Sequence, residues 1–97
     1  MKESILQEAQ RLITGARQKA YSHPLDDYTK VVEIFKALTG VQLNLDQALL
    51  FMVSVKLARL RTNLEKGVLH RDSAVDACGY LGCMEMIHDI TATESND

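Results

Sequence analysis

The chain lacks a basic excess. Eleven Lys and Arg stand against 13 Asp and Glu, for a formal net charge of −2, and a dedicated nucleic-acid binder normally carries a clear positive surplus. It also lacks a long hydrophobic run. The strongest apolar stretch, Ala48 to Val53, falls far short of the ~20 residues that cross a bilayer, so no membrane partner is expected. Met1-Lys2-Glu3-Ser4-Ile5 leads into an amphipathic pattern rather than an apolar segment, so no secretory signal is expected. Cysteine is scarce. Cys78 and Cys83, five apart, would point in different directions on a helix, so no intrachain disulfide is expected and a reducing cytoplasm fits. With one proline and five glycines in 97 residues, disorder is expected only in the tail. No strand-like alternation, internal repeat or low-complexity block is present.

What remains is a helical pattern in four segments. Ile5, Leu6, Ala9, Leu12 and Ile13 recur at helical spacing before Gly15. After the polar stretch 16–23, Pro24 opens a second segment, with Asp26 and Asp27 at its positive end and Gly40 as its stop. Asn44 and Gln47 form a capping box for a third, from Leu45 to about Thr62. That helix is apolar on nearly every face before Lys56, so it should lie at the centre or be covered by a partner. A fourth runs from about Asp72 to Ile90. The expectation is an all-α, four-helix bundle-like domain over residues 1–90, completed by oligomerisation, with a flexible tail at 91–97. Gly79 and Gly82 inside the fourth helix, where glycine costs ~1 kcal/mol against alanine, imply either close packing or clearance for a ligand.

The chemistry-bearing residues gather around the third and fourth helices. Lys56, Arg59 and Arg61 end the third, and His70, Arg71, Asp72, Asp76 and Tyr80 belong to the start of the fourth. If the two helices run antiparallel, Lys56 lies level with Asp76, and Arg59 or Arg61 with Asp72. Asp72 and Asp76, four apart, share a face. One reading is a structural clasp with Asp72 as helix N-cap. Ion pairs stabilise only weakly when exposed, and when buried they often do no better than offset desolvation. The other reading is a site for an anionic ligand. Free N–H groups at the helix start suit phosphate, Lys56, Arg59 and Arg71 add charged donors, and His70 and Tyr80 offer hydrogen bonds or stacking.

A second group, Arg17, Lys19, Tyr21 and His23, precedes the second helix. It reads as a solvated loop or as the phosphate-pairing and base-stacking half of a nucleotide site. His88, with Glu85 and Asp89, reads as a surface face, and Met52, Met84 and Met86 as core or interface filler. No Ser-His-Asp arrangement, glycine-rich phosphate loop or HExxH motif is present.

Gly15-Ala16-Arg17-Gln18-Lys19-Ala20-Tyr21, Pro24, Lys56-Leu57-Ala58-Arg59-Leu60 and His70-Arg71-Asp72-Ser73-Ala74-Val75-Asp76-Ala77-Cys78-Gly79-Tyr80 together resemble a family of small tailed-phage proteins of unassigned function. The resemblance covers roughly residues 5 to 85, and the last stretch is its most specific part. That family is distantly similar to the MazG-type all-α nucleotide pyrophosphohydrolases, which are oligomers that bind nucleotides with magnesium. This chain departs at Ser22-His23, where Gly-Asp is common, at Asp27, where asparagine is common, and at Ala74, where tryptophan is common. MazG-type hydrolysis depends on Glu-x-x-Glu carboxylates, because Mg²⁺ takes several oxygens around the attacked phosphate. No Glu-x-x-Glu motif occurs here, so only Asp72 and Asp76 could carry over as metal ligands, with Glu33 or Asp27 as a distant third.

Three functions follow as expectations. The first is a phage-type protein in the host cytoplasm that sequesters a nucleotide or a cyclic-nucleotide signal of host defence without catalysis. The second is a minimal Mg²⁺-dependent nucleotide pyrophosphohydrolase, and the third is a structural or protein-interaction helical module. The first two imply a nucleotide-type partner, and a homo-oligomer is expected in any case.

Overall fold

The computed structural model describes residues 2–15 and 23–95, the last three by backbone alone. It holds four helices and, among the described residues, no strand. Helix α1 spans Ile5–Thr14, α2 Pro24–Thr39, α3 Leu45–Leu64 and α4 Arg71–Ser95. The fold is all-α and bundle-like, as its periodicity predicts.

Local chemistry sets the helix ends. Ser4 Oγ accepts from Gln7 N at 3.1 Å while Gln7 Oε1 accepts from Ser4 N at 2.8 Å, so a reciprocal capping box opens α1. Pro24 takes the first turn of α2, and His23 caps it, Nδ1 accepting from Leu25 N at 3.0 Å. Gly40, at φ 77°, closes it in the left-handed region that glycine enters without strain. The box expected on α3 is present, with Asn44 Oδ1 accepting from Gln47 N at 2.7 Å and Gln47 Oε1 from Asn44 N at 2.9 Å. Helix α4 begins at Arg71, one residue before expectation. Ala74 N donates to His70 O at 3.3 Å, so His70 and not Asp72 stands at the cap. The helix also continues past Ile90 to Ser95, where a tail was expected.

The centre of the bundle is α4, not α3. Helix α4 packs against each of the other three, whereas α1 touches neither α2 nor α3 among the described residues. Side-chain size explains the exchange. Ser73, Val75, Ala77, Gly79, Tyr80, Cys83 and Ile87 are buried at positions that point round the α4 cylinder, and most of them are small. Ile13 of α1 lies over the two glycines. A Cβ at Gly82 would stand 2.6 Å from Ile13 Cδ1, and one at Gly79 would stand 3.5 Å from Ile13 Cγ2. Gly82 therefore serves close packing, whereas Gly79 has room for a methyl group. On the other side, Leu49 at full burial, with Val53, Tyr28, Val32 and Ile87, forms the main core. Met52, Met84 and Met86 pack against it as filler.

Contact pairs fix the directions. Arg71 meets Glu8 and Gly82 meets Ile13, so α1 and α4 run the same way. Lys56 meets Asp76 and Asp46 meets His88, so α3 runs opposite to α4. Both cysteines are free, Cys83 in the core and Cys78 half-buried.

The two glycines should respond differently to substitution. Gly79→Ala places its methyl at ordinary contact distance and should gain about 0.5–1 kcal/mol from helix propensity. Gly82→Val should lose about 1–3 kcal/mol by overpacking against Ile13. Urea unfolding of the two variants checks both signs.

Candidate functional site

The charged hairpin resolves into pairs. Lys56 Nζ lies 2.9 Å from Asp76 Oδ2, with side-chain exposures of 15% and 33%, where the antiparallel register places it. Arg61 does not reach Asp72. Its Nε turns along its own helix to Glu65 Oε1 at 3.3 Å, on the exposed side. Arg59 and Asp72 are exposed, and neither joins an ion pair among the described residues. His70 Nδ1 sits 2.6 Å from the Oγ of Ser73, a fully buried hydroxyl whose partner is thus supplied. Tyr80 is a core residue and presents no face for stacking.

Arg71 faces away from the hairpin. Its Nη1 pairs with Glu8 and its Nη2 donates to the Glu3 backbone oxygen at 2.8 Å, so the guanidinium ties the start of α4 to the start of α1. Glu3 in turn accepts from Arg11 Nε at 2.8 Å and Nη2 at 3.0 Å. The hydrogen bond from Arg11 holds the Glu3 carboxyl below its ordinary value of 4.5. That link is therefore present above pH 4.5 and is lost as the pH falls through the lowered value.

Of the second group, His23 spends Nδ1 on capping α2, while Arg17, Lys19 and Tyr21 lie outside the described residues. Of the residues expected to form one ligand pocket, Lys56 and Asp76 form a clasp, Arg71 makes a tie, and His23 and His70 stand at helix caps, while Arg59 and Asp72 stay exposed. Among the described residues no three His, Cys, Asp or Glu side chains converge as a metal site. Asp72 and Asp76 offer a divalent cation two carboxylates, one already paired with Lys56.

One pairing was missed by reading His88 as a surface face. Its Nε2 lies 2.9 and 3.0 Å from the two Asp46 carboxylate oxygens. The register that brings Lys56 to Asp76 also brings Asp46 near His88, so the signal was there. This pair stands at the mouth of a cleft of about 540 Å³ between α2, the start of α3 and the far half of α4. Val32, Leu43, Leu45 and Ile87 supply apolar lining. Its amide and hydroxyl groups are engaged locally: Asn44 in the capping box, Gln42 Nε2 on Leu43 O, and Thr29 and Thr91 on carbonyls one turn back. No lysine or arginine lines it, so it has no cation for a phosphate.

The apolar surface of α2 and α3 is more conspicuous. Ile34 and Leu38 on α2, and Leu50, Phe51, Leu57 and Leu64 on α3, are exposed. The α3 side chains are the surplus of a helix that is apolar all round but has neighbours on only part of its circumference. No helix among the described residues is long and apolar enough to cross a membrane.

The fold and these clasps define an all-α domain held together by paired charges between its helices. Its residues 4–88 match a family described as a domain of unknown function (DUF6378), and the chain belongs to that family. Over 90 residues, 92% of this chain, it is 39% identical to the gene 55 protein of Mycobacterium phage D29, of which it covers 56%. The chain thus spans little more than half the length of that relative. No solved structure matches it significantly. These matches bear out the resemblance to a small phage protein family of unassigned function, and they do not show the MazG-type likeness.

If the hairpin pair is a clasp, Lys56→Met alone should cost about 1–2 kcal/mol by stranding Asp76, and adding Asp76→Leu should recover most of the loss. Arg71→Ala should cost about 1–3 kcal/mol through the α1–α4 tie. Denaturant unfolding of the four proteins, native included, measures each step.

Proposed function

We propose that the chain works as a non-catalytic helical interaction module of a phage-type protein, binding another protein surface through the apolar face of α2 and α3. One observation carries this reading. Leu50, Phe51, Leu57 and Leu64 of α3 are each about half exposed or more, on a helix that is apolar on nearly every face before Lys56. Of the charged groups that would otherwise announce a small-molecule site, Lys56, Asp76 and Arg71 are occupied within the domain, which is what a clasp needs and a ligand pocket does not. A radius of gyration of 14.9 Å, against about 13 Å for a compact chain of this size, fits a domain whose burial is unfinished in isolation.

Capture of a nucleotide-type molecule, a cyclic-nucleotide signal of host defence included, is the second reading. It is supported by Arg59 and Asp72, which stand about level across the α3–α4 pair, exposed and without an ion pair among the described residues. In that reading the ligand leaves intact. Its catalytic variant, a Mg²⁺-dependent pyrophosphohydrolase, would draw on Asp72 and Asp76 for the metal.

Two measurements separate the readings. An interaction module should sediment heavier than 10.9 kDa, or, if its face is uncovered, bind an apolar dye such as bis-ANS. A monomer that binds no dye overturns it. For nucleotide capture, a ligand at 100 times its Kd should add about 2.7 kcal/mol of stability. That gain should vanish in Arg59→Ala, and chromatography should recover the nucleotide uncleaved. Recovered pyrophosphate, dependent on Mg²⁺ and lost in Asp76→Asn, would establish the hydrolase instead.

A further inference from the structure

We infer that the occupant of the exposed α3 face is a second copy of this chain, laid antiparallel along the same helix with the two-fold axis beside Leu57. This inference rests on the interaction-module reading and names its partner.

The spacing comes first. Leu50, Leu57 and Leu64 stand seven apart and are 48%, 50% and 56% exposed. Seven residues return almost to the same side of an α-helix, so the three form one stripe about 21 Å long. Such a stripe is the seam by which two helices pair, and the remaining contacts of α3, with α2 and α4, lie elsewhere on its circumference.

Shape comes second. At the C-terminal end of the stripe, Leu57, Leu60, Arg61, Leu64 and Glu65 line an open groove of about 490 Å³. An antiparallel copy centred on Leu57 brings its own Leu50 opposite Leu64, at this groove. By symmetry the first chain's Leu50 meets the partner's groove, so one pairing fills both. This is the self-complementarity that a two-fold interface requires.

Charge selects the direction. From Leu45 to Val55 the helix carries one charged residue, Asp46, whereas Lys56, Arg59 and Arg61 follow in its second half. A parallel pair would set the cations of one copy against those of the other and align the two helix dipoles. An antiparallel pair about Leu57 sets Arg61, which lines the groove, level with the partner's uncharged Val53 and opposes the dipoles, while Lys56 is engaged by Asp76 away from the seam.

The test is sedimentation of the full chain over a concentration series, in a Cys78→Ser background, for the parent, Leu57→Glu and two cysteine variants. The expected parent is twice 10.9 kDa, and Leu57→Glu should weaken association roughly 30-fold or more while leaving the helical circular dichroism unchanged. Leu50→Cys combined with Leu64→Cys should oxidise to a covalent dimer, and Leu50→Cys alone should not. A dimer indifferent to Leu57→Glu, or one cross-linked by Leu50→Cys alone, overturns the inferred surface or direction. A monomeric parent whose dye binding is lost in Leu57→Glu overturns self-pairing but leaves the module reading in place. A monomeric parent that binds no dye overturns both.

Discussion

The fold depends on the burial of α4 from more than one side, and that burial depends on small side chains. A helix can accept a neighbour at close range only where it offers little volume, and α4 does so at Ser73, Ala77, Gly79 and Gly82. Ile13 fills the relief so made, with its Cδ1 over the position where any side chain at Gly82 would have to begin. The α1–α4 contact is thus a fit of one branched residue into one notch. On the remaining circumference Tyr80, Cys83 and Ile87 meet Leu49, Val53 and Val32 in the main core. If either side were lost, α4 would expose a surface that no other element of this chain can cover.

Electrostatics then serves the packing. Arg71 ties the starts of two parallel helices that share no direct loop, and Lys56 with Asp76 holds the antiparallel pair in register. Partly exposed pairs such as these contribute little free energy apiece. Their effect is to exclude alternatives, since a slide of α4 along α3 by one turn would separate Lys56 from Asp76 and Asp46 from His88 together. The charges of the hairpin therefore read as a specification of register, and the surfaces left for recognition are the apolar ones.

Hydropathy and turn chemistry made the helices legible. Asn44, Pro24 and Gly40 act locally, and local signals survive in a linear text. The antiparallel register was legible too, because the short connection between α3 and α4 fixes which residues stand level; Lys56 with Asp76 followed from it. What hydropathy cannot rank is which of two all-round apolar helices sits inside. Both α3 and α4 lack a one-sided stripe, and the choice falls to side-chain volume: leucines and Phe51 hold neighbours off α3, glycine and alanine admit them to α4. The partner of Arg71 was hidden for a different reason. Glu8 lies 63 residues away, and no periodicity links the two, so the guanidinium looked available for a ligand until the path of α1 was known.

The exchange of roles between the two helices bears directly on function. Had α3 been central, its leucines would be core and the domain would present a mostly polar exterior, leaving the charged hairpin as its chief distinguishing feature. With α4 central, the same leucines become surface, and the exposure has a cost that nothing within the chain offsets. A row of buried-type side chains at seven-residue spacing is retained against that cost most simply where it is covered in the working state. The position of α3 on the outside is thus a consequence of glycine and alanine in α4, and the interaction face a consequence of α3 being outside. In the interaction-module reading proposed above, recognition would therefore trace to the small residues of a helix that makes no part of the proposed surface.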